Sequence, residues 1–150
     1  MAIEIRKAST LDTTKLIALA TSLMDEVGDQ PGSKGQVSRL FAEIERSDCD
    51  QVLVAKDDGD IIAMLLIHYR RAMSHGTWIA EVDDMYVVPG RRHEGLGSML
   101  LDEAARLAGQ RGAEALSVGV GKDNETALEF YAAHGFDDVG RVLHRHLADE

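Results

Sequence analysis

The sequence is poor in cysteine, in long apolar runs and in positive charge, and each shortage closes off a class of function. A single cysteine, Cys49, cannot form an intrachain disulfide and has no companion thiol for a metal site. Its acidic neighbours Asp48 and Asp50 disfavour a thiolate, so it reads as an incidental thiol and not a nucleophile. The histidines, His68, His75, His93, His134, His144 and His146, are scattered. No pair stands at ligand spacing beside a third partner, so no metal is expected. No stretch reaches the ~20 apolar residues of a membrane span. The opening Met1-Ala2-Ile3-Glu4-Ile5-Arg6 alternates apolar and polar residues instead of building the apolar block of a signal peptide. A cytoplasmic protein without membrane contact is the expectation. Lysine and arginine number 16 against 26 aspartates and glutamates, giving a net charge of −10. That balance argues against a nucleic-acid partner, which wants a clustered basic face, and is compatible with a cationic small molecule or basic peptide.

What remains is an ordinary globular chain of 150 residues, 45% hydrophobic and 28% charged, long enough for one domain with a real core. No repeat or composition break marks a second domain, so residues 1–150 are expected to form one. Residues 2–7 read as a strand. Leu16, Ile17, Ala20, Leu23, Met24 and Val27 recur at helical spacing over 10–27, with Ser9, Thr10 and Asp12 as starting caps. A connection over 28–35, rich in glycine, leads to a shorter helix over 36–47. Two apolar runs, 51–56 and 61–69, flank Asp57-Asp58-Gly59-Asp60 and predict a hairpin. A strand over 77–88, a helix over 95–109, a short strand over 115–120 and a helix over 124–133 follow. Residues 136–147 read as a last extended segment with a bend near Gly140. The order β-α-α-β-β-β-α-β-α-β implies an α/β (α+β) fold, a mixed sheet with helices on both faces. In such sheets ligands bind beyond the carboxyl ends of strands, against helix N-termini.

The junction Val87-Val88-Pro89-Gly90-Arg91-Arg92-His93-Glu94-Gly95-Leu96-Gly97-Ser98 has the chemistry of such a site. Pro89 cannot donate to a ladder and stops the strand. Gly95 and Gly97 let the backbone approach a bulky anion, and the next helix presents its unsatisfied N–H groups there. Two arginines and a histidine add positive charge. A glycine-lubricated turn with no ligand explains an isolated R-x-x-G-x-G equally well. The spacing excludes a G-x-x-x-x-G-K-[ST] phosphate loop and a G-x-G-x-x-G dinucleotide turn.

Val87-x-Pro89-x-x-Arg92-x-x-Gly95-x-Gly97-x-x-Leu100-Leu101 resembles the coenzyme A pyrophosphate loop of the GNAT acetyltransferases. Downstream, Asn124-x-x-Ala127-x-x-Phe130-Tyr131-x-x-x-Gly135-Phe136 resembles their second signature, at the separation that the family's helix and strand require. The resemblance implies a mixed, mostly antiparallel twisted sheet of about six to seven strands flanked by about four helices. It implies acetyl-coenzyme A as co-substrate and an amine as acceptor. The backbone amides of Arg92, His93, Glu94, Gly95, Leu96, Gly97 and Ser98 would take the pyrophosphate. The stretch Met85-Tyr86-Val87 would pair through its main chain with the pantetheine arm. Asn124 would contact the cofactor, and Tyr131 would hold and protonate the departing thiolate. His93 departs from the pattern, since the family usually has glycine there. Family members often dimerise, so a homodimer is a further expectation by analogy.

Acetyl transfer needs a neutral nitrogen, and a lysine-like amine costs roughly 4.6 kcal/mol to neutralise at pH 7. A carboxylate can take that proton directly or through a water. Glu81, Asp83 and Asp84 stand just before the cofactor-binding stretch, and ideal alternation would place Glu81, Asp83, Met85 and Val87 on one face. Asp83, nine residues before Arg92, matches a glutamate of polyamine-type members and is the first choice for base or amine anchor, followed by Asp84 and Glu81. Solvated strand carboxylates are the alternative. The acceptor is expected to be a polyamine-like small molecule, a lysine or an N-terminal amine, attacking directly in a ternary complex. A coenzyme A-binding module without catalysis and transfer of a longer acyl group are the other readings.

Overall fold

A computed structural model describes residues 2–28 and 34–147. The chain forms two compact units, Met1–Val118 and Gly119–Glu150. In the first, β1 (Ile3–Lys7) leads through a single 3-10 turn (Thr10–Asp12) into α1 (Thr13–Val27), and α2 (Lys34–Arg46) follows. Strands β2 (Asp50–Asp57), β3 (Asp60–Ala72) and β4 (Thr77–Val87), helix α3 (Leu96–Gln110) and strand β5 (Ala113–Val118) complete it. The second unit holds α4 (Glu125–Ala133). Of the expected 28–35 connection, residues 29–33 lie outside the described residues.

The sheet has the order β1-β2-β3-β4-β5, antiparallel throughout except for the parallel β4–β5 pair. The β2–β3 hairpin closes at Asp57↔Asp60. Its central residues Asp58 (φ 50°) and Gly59 (φ 83°) both sit in the left-handed region, as a type I′ turn matched to strand twist requires. Alternation then sorts the side chains. Val52, Val54, Met64 and Tyr86 join Leu16 and Leu19 of α1 and Ile44 of α2 in one buried cluster. The intervening residues, Leu53, Ala55, Leu65 and Ile67, are buried on the opposite phase. Helix α3 packs against the strands with Leu96, Leu100, Leu101, Ala104 and Ala108 buried. A buried leucine such as Leu65 contributes about 1.5–3 kcal/mol, and such side chains hold the strand ends in place.

Asp12, only 5% exposed, ties the 3-10 turn to the sheet. It accepts a hydrogen bond from the Ser9 amide at 2.8 Å and meets Lys56 at 3.1 Å and Arg6 at 3.4 Å. Burial pushes its carboxyl upward, but the Ser9 amide, Lys56 and Arg6 together hold it below the usual range.

Two expectations need correction. The sheet has five strands among the described residues, not six or seven, because residues 136–147 carry no strand. A strand exists only with a ladder partner, and apolar spacing in Val139, Val142, Leu143 and Leu147 does not supply one; all four are exposed. His144 and His146, within this segment, accordingly lie on irregular backbone.

Candidate active site

Strand β4 carries the acidic candidates, and its pairing changes along its length. Its ladder with β5 runs from Trp78↔Ala113 to Val82↔Val118. Its ladder with β3 continues to Ala63↔Val87. The last five residues, Asp83 to Val87, therefore extend past the end of β5, with their β5-side edge beyond the parallel ladder. Past Val82 the main chain of Met85 and Val87 has no strand partner on that side among the described residues.

A register shift marks the same point. Ile67 faces Val82 and Leu66 faces Asp84, so Asp83 is the extra residue of a bulge. One inserted residue reverses the phase of everything after it. Glu81 shares a face with Asp84 and Tyr86 instead of with Met85 and Val87, which corrects the simple alternation, and Asp83, the extra residue, stays close enough to Glu81, His68 and Asp50 to feel their charges.

Beyond β4, Pro89–Arg91 form a single 3-10 turn, and His93 (φ 67°) and Gly95 (φ 86°) take left-handed backbone. The left-handed conformation suits glycine and is strained for histidine. Gly95 caps α3 with no side-chain hydrogen bond, and no acid stands in the helix's first turn. The first-turn N–H groups and the positive end of the helix dipole thus face this loop without a carboxylate of their own helix, an arrangement suited to an anion.

The loop's arginines are held by other groups. Arg91 meets Asp57 of β2 and Glu94, each at 3.0 Å. Arg92 donates from Nε to the Val87 carbonyl at 2.8 Å and from Nη2 to Glu26 of α1 at 2.6 Å, with its guanidinium 5.3 Å from the Tyr86 ring. Tyr86 itself is 5% exposed, its side chain belonging to the core. The Val87 carbonyl is therefore engaged, and its N–H is the group left to pair with an incoming strand-like ligand.

On the α1/α2 face a polar row crosses three strands. Asp50 of β2 hydrogen-bonds His68 Nδ1 at 2.8 Å, His68 lies opposite Glu81, and Glu81 meets Arg70 at 3.1 Å. Ser47 Oγ donates to the other Asp50 oxygen at 2.8 Å. Beside this row, burial pushes the Asp83 carboxyl up; His68 opposes the rise, and Glu81 and Asp50 add to it. Asp84 is pushed up to about 6, first by burial and then by the charge of Asp83. A carboxyl placed there exchanges its proton near neutral pH, where an acid–base group works best.

In the second unit, Asn124 caps α4, its Oδ1 accepting from the Ala127 amide at 3.0 Å. Tyr131 sits between Phe130 and Phe136, with ring centroids 5.2 and 5.5 Å away, both edge-on. Burial raises its phenol, so it stays protonated at neutral pH.

Sequence reasoning missed Glu26, Asp50 and His68. None lies in a motif, and only the register and the position of α1 bring them to the site. Cys49 is half-buried.

A sequence profile of the acetyltransferase (GNAT) family matches residues 18–136, and the chain belongs to that family. It is similar to the aminoalkylphosphonate N-acetyltransferase of Salmonella typhimurium, with 28% identity over 89% of this chain and 84% of that one. It also resembles the streptothricin acetyltransferase of Streptomyces lavendulae, with 32% identity over 75% of this chain and 56% of that one. Among solved structures, an aminoglycoside N-acetyltransferase in complex with coenzyme A shares the fold, with a TM-score of 0.85 and 19% identity over 98% of this chain and 96% of that one. As a family member the chain is an N-acetyltransferase.

Proposed function

We propose that the protein transfers an acetyl group from acetyl-coenzyme A to a primary amine by direct attack in a ternary complex. The observation that supports this most is the end of β4: it outruns β5 after Val82 and leads directly into the glycine loop and the α3 N-terminus. One end suits a peptide-like arm and the other a diphosphate, and the distance between them is spanned by one strand segment. Acetyl-coenzyme A supplies the thioester. The first-turn amides of α3 and the loop amides from His93 to Ser98 bind its pyrophosphate, and the main chain of Met85 and Val87 pairs with its amide-bearing arm.

The acids of β4 serve the acceptor. Asp83, on the bulge, anchors the ammonium. Asp84, poised near 6, takes its proton, directly or through a water. The freed nitrogen lone pair forms the new C–N bond as the C–S bond breaks, and the sulfur leaves with the bonding electrons. The nitrogen gives up its second proton to solvent, from which the proton donor to sulfur is replenished. Following the family resemblance, Tyr131 returns a proton to that sulfur, a role suited to a phenol kept neutral by burial. Asn124 retains its amide nitrogen for cofactor contact, its oxygen being used in the helix cap.

The acceptor class is a small cationic amine. The acids at 81, 83 and 84 support the positive charge, and relatives named for an aminoalkylphosphonate and for streptothricin support a small amine, although the first of these also carries an anionic phosphonate. The test is release of free thiol from acetyl-coenzyme A across a panel of polyamines, aminoalkylphosphonates, aminoglycosides and lysine peptides. Turnover on at least one small amine is expected. Tight cofactor binding with no thiol release on any amine would instead identify a coenzyme A-binding module.

A further inference from the structure

The family pattern places Arg92 beside a phosphate group, yet its side chain points elsewhere. Three groups from three elements hold it: the Val87 carbonyl at the end of β4, Glu26 in the last turn of α1, and the face of Tyr86. We infer that Arg92 is a positioning residue and Glu26 its partner, together pinning the glycine loop in the shape that receives the pyrophosphate. This inference rests on the cofactor reading above.

Helix electrostatics explain why the guanidinium stays there. Helix α1 ends without any basic residue in its last turn, while Asp25 and Glu26 stand at its negative end. Two carboxylates at a helix C-terminus are unfavourable unless a cation reaches them. Arg92 is that cation, arriving from a loop 66 residues away in sequence. The pair is mutual: Glu26 lies below the usual carboxylate range chiefly because of Arg92, and Arg92 is raised chiefly by Glu26. Tyr86 joins through hydrogen bonds to Glu26 and Ser22. An ordinary surface ion pair contributes little. This one is also fixed by a backbone carbonyl and an aromatic face, so the loop backbone at Arg92 cannot move without breaking three contacts.

The alternative is that Glu26 merely stores Arg92 until an anion arrives. The two readings predict opposite signs. If Arg92 is a phosphate ligand held back, Glu26→Gln frees it and coenzyme A binds more tightly. If Arg92 is the pin, Glu26→Gln loosens the loop and its ordering must be supplied on binding, which weakens affinity by about 3–10-fold.

The experiment is calorimetric titration of the whole chain with coenzyme A and, separately, with acetyl-pantetheine, which lacks the pyrophosphate and nucleotide. Wild type, Glu26→Gln and Arg92→Lys are compared, with thermal unfolding as the control for folding. Lysine keeps the charge but cannot span the carbonyl and the carboxylate together. Weaker coenzyme A binding in both variants, with acetyl-pantetheine affinity and kcat unchanged and the KM for acetyl-coenzyme A raised, is expected. Tighter or equal binding in Glu26→Gln overturns the pin. Retained affinity in Arg92→Lys also overturns it, since a positive charge alone would then suffice. A wild-type chain that binds no coenzyme A refutes the cofactor reading itself, a result separable from failure of the pin.

Discussion

Replacing Asp84 with asparagine should make the protein more stable and nearly inactive. The rise of the Asp84 carboxyl from 3.8 to about 6 means that the native state opposes its ionisation by about 3 kcal/mol. The folded pKa is raised above the unfolded one, so the native chain takes up a proton between about pH 4 and 6. Stability from this group is therefore full below pH 4 and declines as pH rises through 6. Asparagine is isosteric and carries no charge, so it removes the penalty and the repulsion from Asp83. Urea unfolding at pH 8 should show Asp84→Asn more stable by about 2–3 kcal/mol, and at pH 4 the two proteins should coincide. Activity goes the other way. Loss of a general base costs about 10²–10⁴ in kcat/KM, and the acid limb of the wild-type profile, rising through about pH 6, should vanish in the variant. Equal stability at pH 8, together with acetylation within threefold of wild type and the same limb, would refute both the burial argument and the role assigned to Asp84.

Tyr131→Phe should lower turnover more than it lowers affinity for acetyl-coenzyme A, measured by steady-state rates beside calorimetry; an unchanged rate removes the proton-donor role. Gly97→Val should abolish cofactor binding by filling the approach to the first turn of α3, and undiminished affinity would contradict the loop assignment. Asp12→Ala leaves Lys56 and Arg6 without their shared carboxylate and should cost about 2–3 kcal/mol in chemical unfolding. Because the Asp12 carboxyl is held low in the fold, its contribution is present above about pH 4 and is lost as pH falls below that, so the variant's deficit should shrink in acid.

The periodic parts of the fold were legible from the sequence. The stripe Leu16–Leu23 gave α1, and Asp58-Gly59 gave the hairpin, because an apolar face and a left-handed turn are local demands on residue type. Gly95 and Pro89 marked the loop for the same reason. The bulge at Asp83 was not legible in the residues themselves, since an extra residue in a ladder is defined by the neighbouring strand. That one residue decides which acids share a face. The Glu26–Arg92 contact was hidden too, because it depends on where the end of α1 meets the loop. At the other extreme, residues 136–147 look extended by pattern, but pattern does not create a hydrogen-bonding partner.

In the proposed function, the β4 edge and the glycine loop together bind acetyl-coenzyme A. Backbone amide resonances of the isotope-labelled protein, followed during titration with coenzyme A, test it most directly. The largest shifts are expected at Met85, Val87 and His93 to Ser98. Saturable binding that leaves these amides unmoved, or no binding at all, would contradict it.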